Sequence, residues 1–173
     1  LLVEHQQQIH DLTVNHMHRM KGLGIRNAAV LVTETKTGKI RSYIGSPDFF
    51  NQENQGQVDG VLAARSSGSI LKPFLYGLAM DEGLVLPSTV IRDVPSYFVS
   101  FTPSNSDRKF SGLVSAKEAL IRSLNVPAVR LLNAYGLYKF YIFLKASGLT
   151  TLFRDADDYG LTLVLGGAET RLY

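Results

Sequence analysis

The stretch Arg65-Ser66-Ser67-Gly68-Ser69-Ile70-Leu71-Lys72-Pro73-Phe74-Leu75-Tyr76 constrains this chain more than any other. It predicts an apolar helix over residues 69–82, with a serine at its mouth and a lysine three residues on. Positions i and i+3 are neighbours on a helix, so the Lys72 amine is expected within reach of the Ser69 hydroxyl. Serine is a weak nucleophile until a base takes its proton. Lysine serves as that base only when neutral, a state favoured by burial or nearby positive charge. Ile70, Leu71, Phe74 and Leu75 are expected to bury it. The helix start adds unpaired N–H groups and a partial positive charge, which favour an alkoxide and an oxyanion. Gly68 suits a tight turn into the helix, Pro73 suits its first turn and Gly83 suits its end. On its own, S-x-x-K also describes a helix cap beside a solvated lysine, so other parts of the chain must decide.

At 173 residues the chain suits one domain with a sizeable core. Its net charge of +3, with no basic run interleaved with aromatics, gives no case for nucleic-acid binding. With no cysteine there are neither disulfides nor thiol chemistry. No apolar run approaches a membrane span. The start at Leu1-Leu2-Val3-Glu4, without an initiator Met, suggests a piece of a longer protein, so missing targeting signals say little about the parent.

Residues 1–24 read as a lead-in helix and linker, with Leu2, Ile9, Leu12, His16 and Met20 near one face and a stop at Gly22 or Gly24. His16 and His18 do not share a helix face and have no completing ligands, so they read as exposed histidines and no metal is expected. Residues 27–45 read as a hairpin. Ala28 to Thr33 is expected to be a buried strand, Lys39 to Ile44 a half-buried one, and Thr35-Lys36-Thr37-Gly38 the turn. A polar loop follows over 46–68. Residues 84–114 read as largely irregular, punctuated by Pro87, Pro95 and Pro103, with Tyr97, Phe98, Phe101 and Phe110 expected to pack it down. Ser115-Ala116-Lys117-Glu118 is a capping box opening a short helix to about Arg122. Two more helices follow, one opened by Pro127 and ending near Gly136, the other over 137–147 and closed by Gly148. The apolar run Tyr159 to Ala168 is expected to be core.

Between the first two of these helices stands Ser123-Leu124-Asn125. An S-x-N tripeptide at a helix–helix junction can aim a hydroxyl and an amide into one cleft. Asn125 would donate to a substrate amide carbonyl, and Ser123 would relay a proton to a leaving amine.

An S-x-N some fifty residues after an S-x-x-K helix has the order seen in penicillin-binding proteins and serine β-lactamases. Arg65 through Tyr76 resembles the R-S-P-G-S-T-L-K-P-F-L-Y of bifunctional, class A penicillin-binding proteins. Glu118-Ala119-Leu120-Ile121-Arg122-Ser123-Leu124-Asn125-Val126-Pro127-Ala128-Val129 resembles their E-A-L-x-x-S-L-N-x-P-A-V. Tyr159-Gly160-Leu161 through Leu165-Gly166-Gly167-Ala168 resembles their Y-G-L-x-L-x-L-G-G-A. The hairpin, with Thr37-Gly38 and Tyr43-Ile44-Gly45-Ser46, resembles the first strands of their transpeptidase domain. The likeness covers roughly residues 25–172 and is greatest to the 1C-like branch.

The resemblance implies an α+β fold, an antiparallel sheet flanked by helices beside a helical subdomain, incomplete in this chain. Residues 25–173 would be part of the transpeptidase domain, with hairpin and loop over 25–68 and a mainly helical portion over 69–173. It further implies serine acyl transfer on D-Ala-D-Ala stem peptides, which cross-links peptidoglycan, with β-lactams trapping the same serine. Ser69 would be the nucleophile, Lys72 its base, Ser123 and Asn125 the proton relay and substrate holder, and the Ser69 N–H an oxyanion donor. No cofactor is implied. The parent would be membrane-anchored at the periplasmic face of a bacterial inner membrane.

The family's K-T-G strand follows its L-G-G-A segment, so Lys36-Thr37-Gly38, which precedes the S-x-x-K helix, reads as turn chemistry. The K-T-G strand and an upstream glycosyltransferase domain are not in these residues. The piece is therefore expected to lack a second lysine and one oxyanion donor, and to leave edges that invite a homodimer. Ser67 stands where the family often has Pro, and Ile70 where it often has Thr. A peptidoglycan-holding or β-lactam-sensing module without turnover is the alternative reading. A β-lactamase-type hydrolase would need a deacylating base, and no E-x-x-L-N element is present.

Overall fold

The computed structural model describes residues 2–98 and 101–172. The chain divides into two compact units. The first is residues 1–64, joined near the end of the chain by a hydrogen bond from the Leu172 N–H to the Val61 carbonyl (3.1 Å).

This unit opens with α1, Val3–Met20, followed by a 3₁₀ turn and Gly24 in the left-handed region (φ 77°). Two antiparallel strands follow, β1 Val30–Thr33 and β2 Ile40–Ile44, with Val30 opposite Ile44 and Leu31 opposite Tyr43. Their connection contains Gly38 at φ 68°, a conformation that favours glycine. β1 is half-buried rather than buried, because the hairpin is a two-stranded ribbon.

The face of α1 also differs from its apolar reading. Leu12 is 63% exposed and His16 and His18 face solvent, while Thr13 is buried. Polar bonding, not an apolar stripe, attaches this helix. The Gln6 amide donates to the Tyr43 carbonyl and accepts from the Tyr43 N–H, both at 2.8 Å, and the Leu2 N–H donates to the Arg41 carbonyl. Behind the hairpin, the Tyr43 hydroxyl donates to Asp59 Oδ2 at 2.6 Å. That bond pushes the phenol up to about 12 and holds the carboxyl below its usual range.

The second unit, Arg65–Thr170, holds the main core. It begins with β3, Arg65–Ser66, which pairs antiparallel with β6, Glu169–Thr170. α2, Lys72–Asp81, follows and ends at Gly83 (φ 72°). The stretch read as irregular contains a hairpin, β4 Val90–Asp93 with β5 Gly112–Ser115. These strands hold only two apolar residues each and expose Val90 and Leu113, so no alternating stripe marks them. Of the four aromatics in that stretch, Phe98 and Phe101 pack on the core, but Tyr97 is 83% exposed and Phe110 also reaches solvent.

Three helices come next: α3 Ala116–Ile121, α4 Asn125–Tyr135 and α5 Leu137–Ala146. The Ser115 hydroxyl caps α3 by accepting from the Glu118 N–H at 3.1 Å. α4 is the axis of the unit. Val126, Ala128, Val129 and Leu132 have no exposed surface, and each such burial contributes about 1.5–3 kcal/mol for the larger side chains. Around it lie Leu75 and Ala79 of α2, Phe140 and Leu144 of α5, and Leu163 and Val164 of a 3₁₀ segment that follows α6, Ala156–Tyr159. The architecture is α+β, with three small antiparallel sheets among the described residues.

Candidate active site

All four residues singled out from the sequence lie in the second unit. Ser69 stands in the turn before α2, not within the helix. The Lys72 N–H donates to the Ser69 carbonyl at 3.1 Å, and helical bonding begins from there. Gly68 makes the turn at φ 54°.

This turn is fixed from behind by the Leu165-Gly166-Gly167-Ala168 segment. The Ser67 N–H donates to the Ala168 carbonyl (2.8 Å), and the Ser66 hydroxyl donates to the Gly166 carbonyl (2.7 Å). Gly166 sits at φ 106°, and a Cβ there would lie 3.0 Å from the Gly68 nitrogen. The glycine pair thus permits a close approach that a side chain would block. Among the described residues, the Ser69 hydroxyl has no hydrogen-bond partner and no carbonyl takes the Ser69 N–H.

Lys72 is 1% exposed, although Ile70 and Phe74 beside it are largely in solvent. Of the four expected neighbours, Leu71 and Leu75 are the buried ones. Its Nζ donates to the Ser123 carbonyl (2.7 Å), the Asn125 Oδ1 (2.8 Å) and the Ser123 Oγ (3.2 Å). Burial lowers its pKa to about 8, outweighing the preference of these acceptors for the ammonium. Neutral Lys72 retains a satisfied network, because the Ser123 hydroxyl can rotate and donate to the amine.

The S-L-N tripeptide is the junction between α3 and α4. Ser123 has φ 53°, a left-handed turn that brings both its carbonyl and its hydroxyl onto one amine. The structure therefore brings Lys72, Ser123 and Asn125 together, and places Ser69 one turn ahead of Lys72 without a hydrogen bond between their side chains.

Two residues that sequence reasoning did not single out complete the arrangement. Leu124 gives α4 no side-chain cap. Asn105 caps it instead, its Oδ1 accepting from the Asn125 N–H (2.8 Å) and the Val126 N–H (3.3 Å). Its Nδ2 donates to Asp93 Oδ1 and to the Lys109 carbonyl, both at 2.8 Å. Only their lodging in an otherwise proline-punctuated segment marked these residues, and that signal is too common to select them. Asn105, Asp107, Arg122 and Ser123 also border a cavity of about 220 Å³.

Lys36-Thr37-Gly38 lies exposed at the tip of the first hairpin, where the Gly38 N–H donates to the Glu34 carbonyl. Among the described residues, no cluster of His, Asp and Glu is arranged to hold a metal ion, and no helix is long and apolar enough to cross a membrane.

Fold and site define a class: an α+β frame that sets a turn serine, a buried lysine and an S-x-N tripeptide around the N-terminal ends of two packed helices. The chain belongs to the penicillin binding protein transpeptidase domain family, which it matches over residues 28–170. It is 39% identical to penicillin-binding protein 1C of Escherichia coli K12 over 167 residues, covering 96% of this chain and 21% of that protein. To penicillin-binding protein 1F of Bacillus subtilis it is 36% identical over 135 residues, covering 78% of this chain and 18% of that protein. The chain thus spans about a fifth of the length of these relatives.

Two solved structures share its fold. Penicillin-binding protein 1A of Haemophilus influenzae aligns with a TM-score of 0.69 at 24% identity, over 84% of this chain and 21% of that one. The PonA1 protein of Mycobacterium tuberculosis, solved in complex with penicillin V, aligns with a TM-score of 0.68 at 22% identity, over 83% of this chain and 39% of that one.

Proposed function

We propose that the protein carrying this chain is a serine-type DD-transpeptidase that cross-links peptidoglycan and is acylated by β-lactams. Residues 25–173 would form part of its transpeptidase domain, behind a lead-in helix over 1–24. The observation that carries this reading is the hydrogen bonding of buried Lys72 to both Ser123 and Asn125, one turn beyond Ser69.

Neutral Lys72 takes the Ser69 proton as Ser69 Oγ bonds to the carbonyl carbon of the penultimate D-Ala. The Ser69 N–H stabilises the resulting oxyanion. The C–N bond then breaks, and the leaving D-Ala amine receives a proton from Lys72 through the Ser123 hydroxyl, which already contacts Nζ. In the second half, an amine of another stem peptide attacks the acyl carbon and returns its proton by the same path, freeing Ser69. Asn125 holds the substrate amide. Such chemistry belongs at the periplasmic face of a bacterial inner membrane, where peptidoglycan is assembled, and a membrane anchor in the parent would keep it there.

Intact-protein mass spectrometry after incubation with a fluorescent penicillin, followed by peptide mapping, tests the reading. A covalent adduct on the peptide containing Ser69 is the expected result. A protein extended through a K-T-G strand that still takes no label would overturn it.

A further inference from the structure

We propose that Asp93 and Asn105 form a positioning pair for the S-L-N tripeptide, holding the start of α4 so that the Asn125 side-chain carbonyl stays on the Lys72 amine. Acylation as a readout rests on the transpeptidase reading, whereas the geometry stands without it.

Asp93 has no exposed surface and Asn105 is 3% exposed. Asn105 uses its whole amide: two N–H groups donate, to Asp93 and the Lys109 carbonyl, and the oxygen accepts two N–H groups of α4. Asp93 accepts on both oxygens, from Asn105 and, at 2.8 Å, from the Ser111 N–H. This pattern fixes the order of the pair. Asp93 must only accept, and Asn105 must donate toward Asp93 and accept from α4. Burial, and after it the nearby Asp93, push the neighbouring Tyr76 phenol up.

The consequence reaches Asn125. Its backbone N–H goes to Asn105 and its Nδ2 goes to the Ser104 carbonyl (2.8 Å), two consecutive residues of the same segment. With Nδ2 so held, the amide cannot flip, and only Oδ1 faces Lys72. A buried carboxylate 30 residues before the tripeptide thereby determines which atom of Asn125 the lysine meets.

The pair can be tested by exchange. Asp93→Asn sets an amide N–H against the Ser111 N–H or against Asn105. Asn105→Asp removes both of its donations and faces two carboxylates. The double exchange Asp93→Asn/Asn105→Asp restores a donor toward 105, acceptors toward α4 and an acceptor toward Ser111, and leaves only the part-buried donation to the Lys109 carbonyl unmade. In the full-length protein carrying this chain, fluorescent-penicillin acylation is expected to fall at least tenfold in each single variant. It should return to within about threefold of wild type in the exchange. Singles that acylate like wild type, or an exchange no better than the worse single, would overturn the pairing.

If the singles do not fold, the folded exchange variant decides alone by the same criterion. Titration of the ¹³Cε resonance of Lys72 gives a second readout. The midpoint, about 8 when the amine is buried, should rise in the singles as water reaches Nζ and return in the exchange. If wild type takes no label, the transpeptidase reading fails, and a midpoint unmoved in the singles would sink the positioning pair independently.

Discussion

The Lys72 amine and the Asn125 side chain, 53 residues apart in sequence, meet in a 2.8 Å hydrogen bond between two helices packed in one core. The bond joins the first residue of α2 to the first residue of α4. Its geometry depends on the packing of Leu75 and Ala79 against the α4 face as much as on the two polar groups themselves.

Because lysine must give up its proton to act as a base, Lys72→Arg should be as damaging as Lys72→Ala. Guanidinium keeps the charge and does not deprotonate. Both variants should acylate with a fluorescent penicillin at least about 10³-fold more slowly than wild type, since base and positioning contributions are lost together. Timed gel labelling checks this, and normal labelling of either variant would remove Lys72 from the base role.

The pH response has a defined sign. Burial lowers the Lys72 pKa to about 8, so acylation should climb with pH and level off above that value. For stability, the folded chain loses this proton near 8 while the unfolded chain keeps it until the ordinary lysine value of 10.5. Between them the unfolded state binds more protons, so this group makes stability rise with pH. The gain is at most about 3 kcal/mol across that window. Denaturant unfolding at several pH values from 7.5 to 10 should show the rise in wild type and its loss in Lys72→Met.

Gly166→Ala probes the support behind the nucleophile turn. The residue is at φ 106°, and a Cβ there would meet the Ser66 hydroxyl and the Gly68 backbone. A cost of about 2–3 kcal/mol in unfolding free energy is expected, from the left-handed backbone and the forced shift together. Slower acylation is expected even in the folded variant, because the displaced atoms adjoin Ser69. Calorimetry with labelling separates the two effects.

Ser115→Ala removes the α3 cap, whose hydroxyl accepts from the Glu118 N–H. Unfolding should become easier by about 1 kcal/mol. The Lys72 network should survive, because the Ser123 N–H bonds to the Leu120 carbonyl at the opposite end of α3 from this cap, so the acylation rate of the folded protein should stay within a few-fold of wild type.

The sequence made the helices and the tripeptide legible because their signals are local. Ser115 and Glu118 marked one helix start, Gly83, Gly136 and Gly148 marked three ends, and Ser123-Leu124-Asn125 fell at a helix junction as its flanking patterns implied. Non-local signals were hidden. The first turn of the S-x-x-K segment was read as helix, but the Ser67 bond to Ala168 holds it as a separate turn. β4 and β5 escaped because they are short and half exposed. Asn105 escaped because a cap delivered from 20 residues away leaves no spacing rule. The polar attachment of α1 escaped because an amide bonded to backbone has no hydropathy signature.

That attachment also bears on how the first sheet can be completed. Gln6 occupies the outward N–H and C=O of Tyr43 as a neighbouring strand would, and the Leu2 N–H does the same for Arg41. One side of the ribbon is thereby sealed by a helix, and a further strand can add only alongside β1. Enlargement of this sheet is one-directional, and α1 acts as its end-stop.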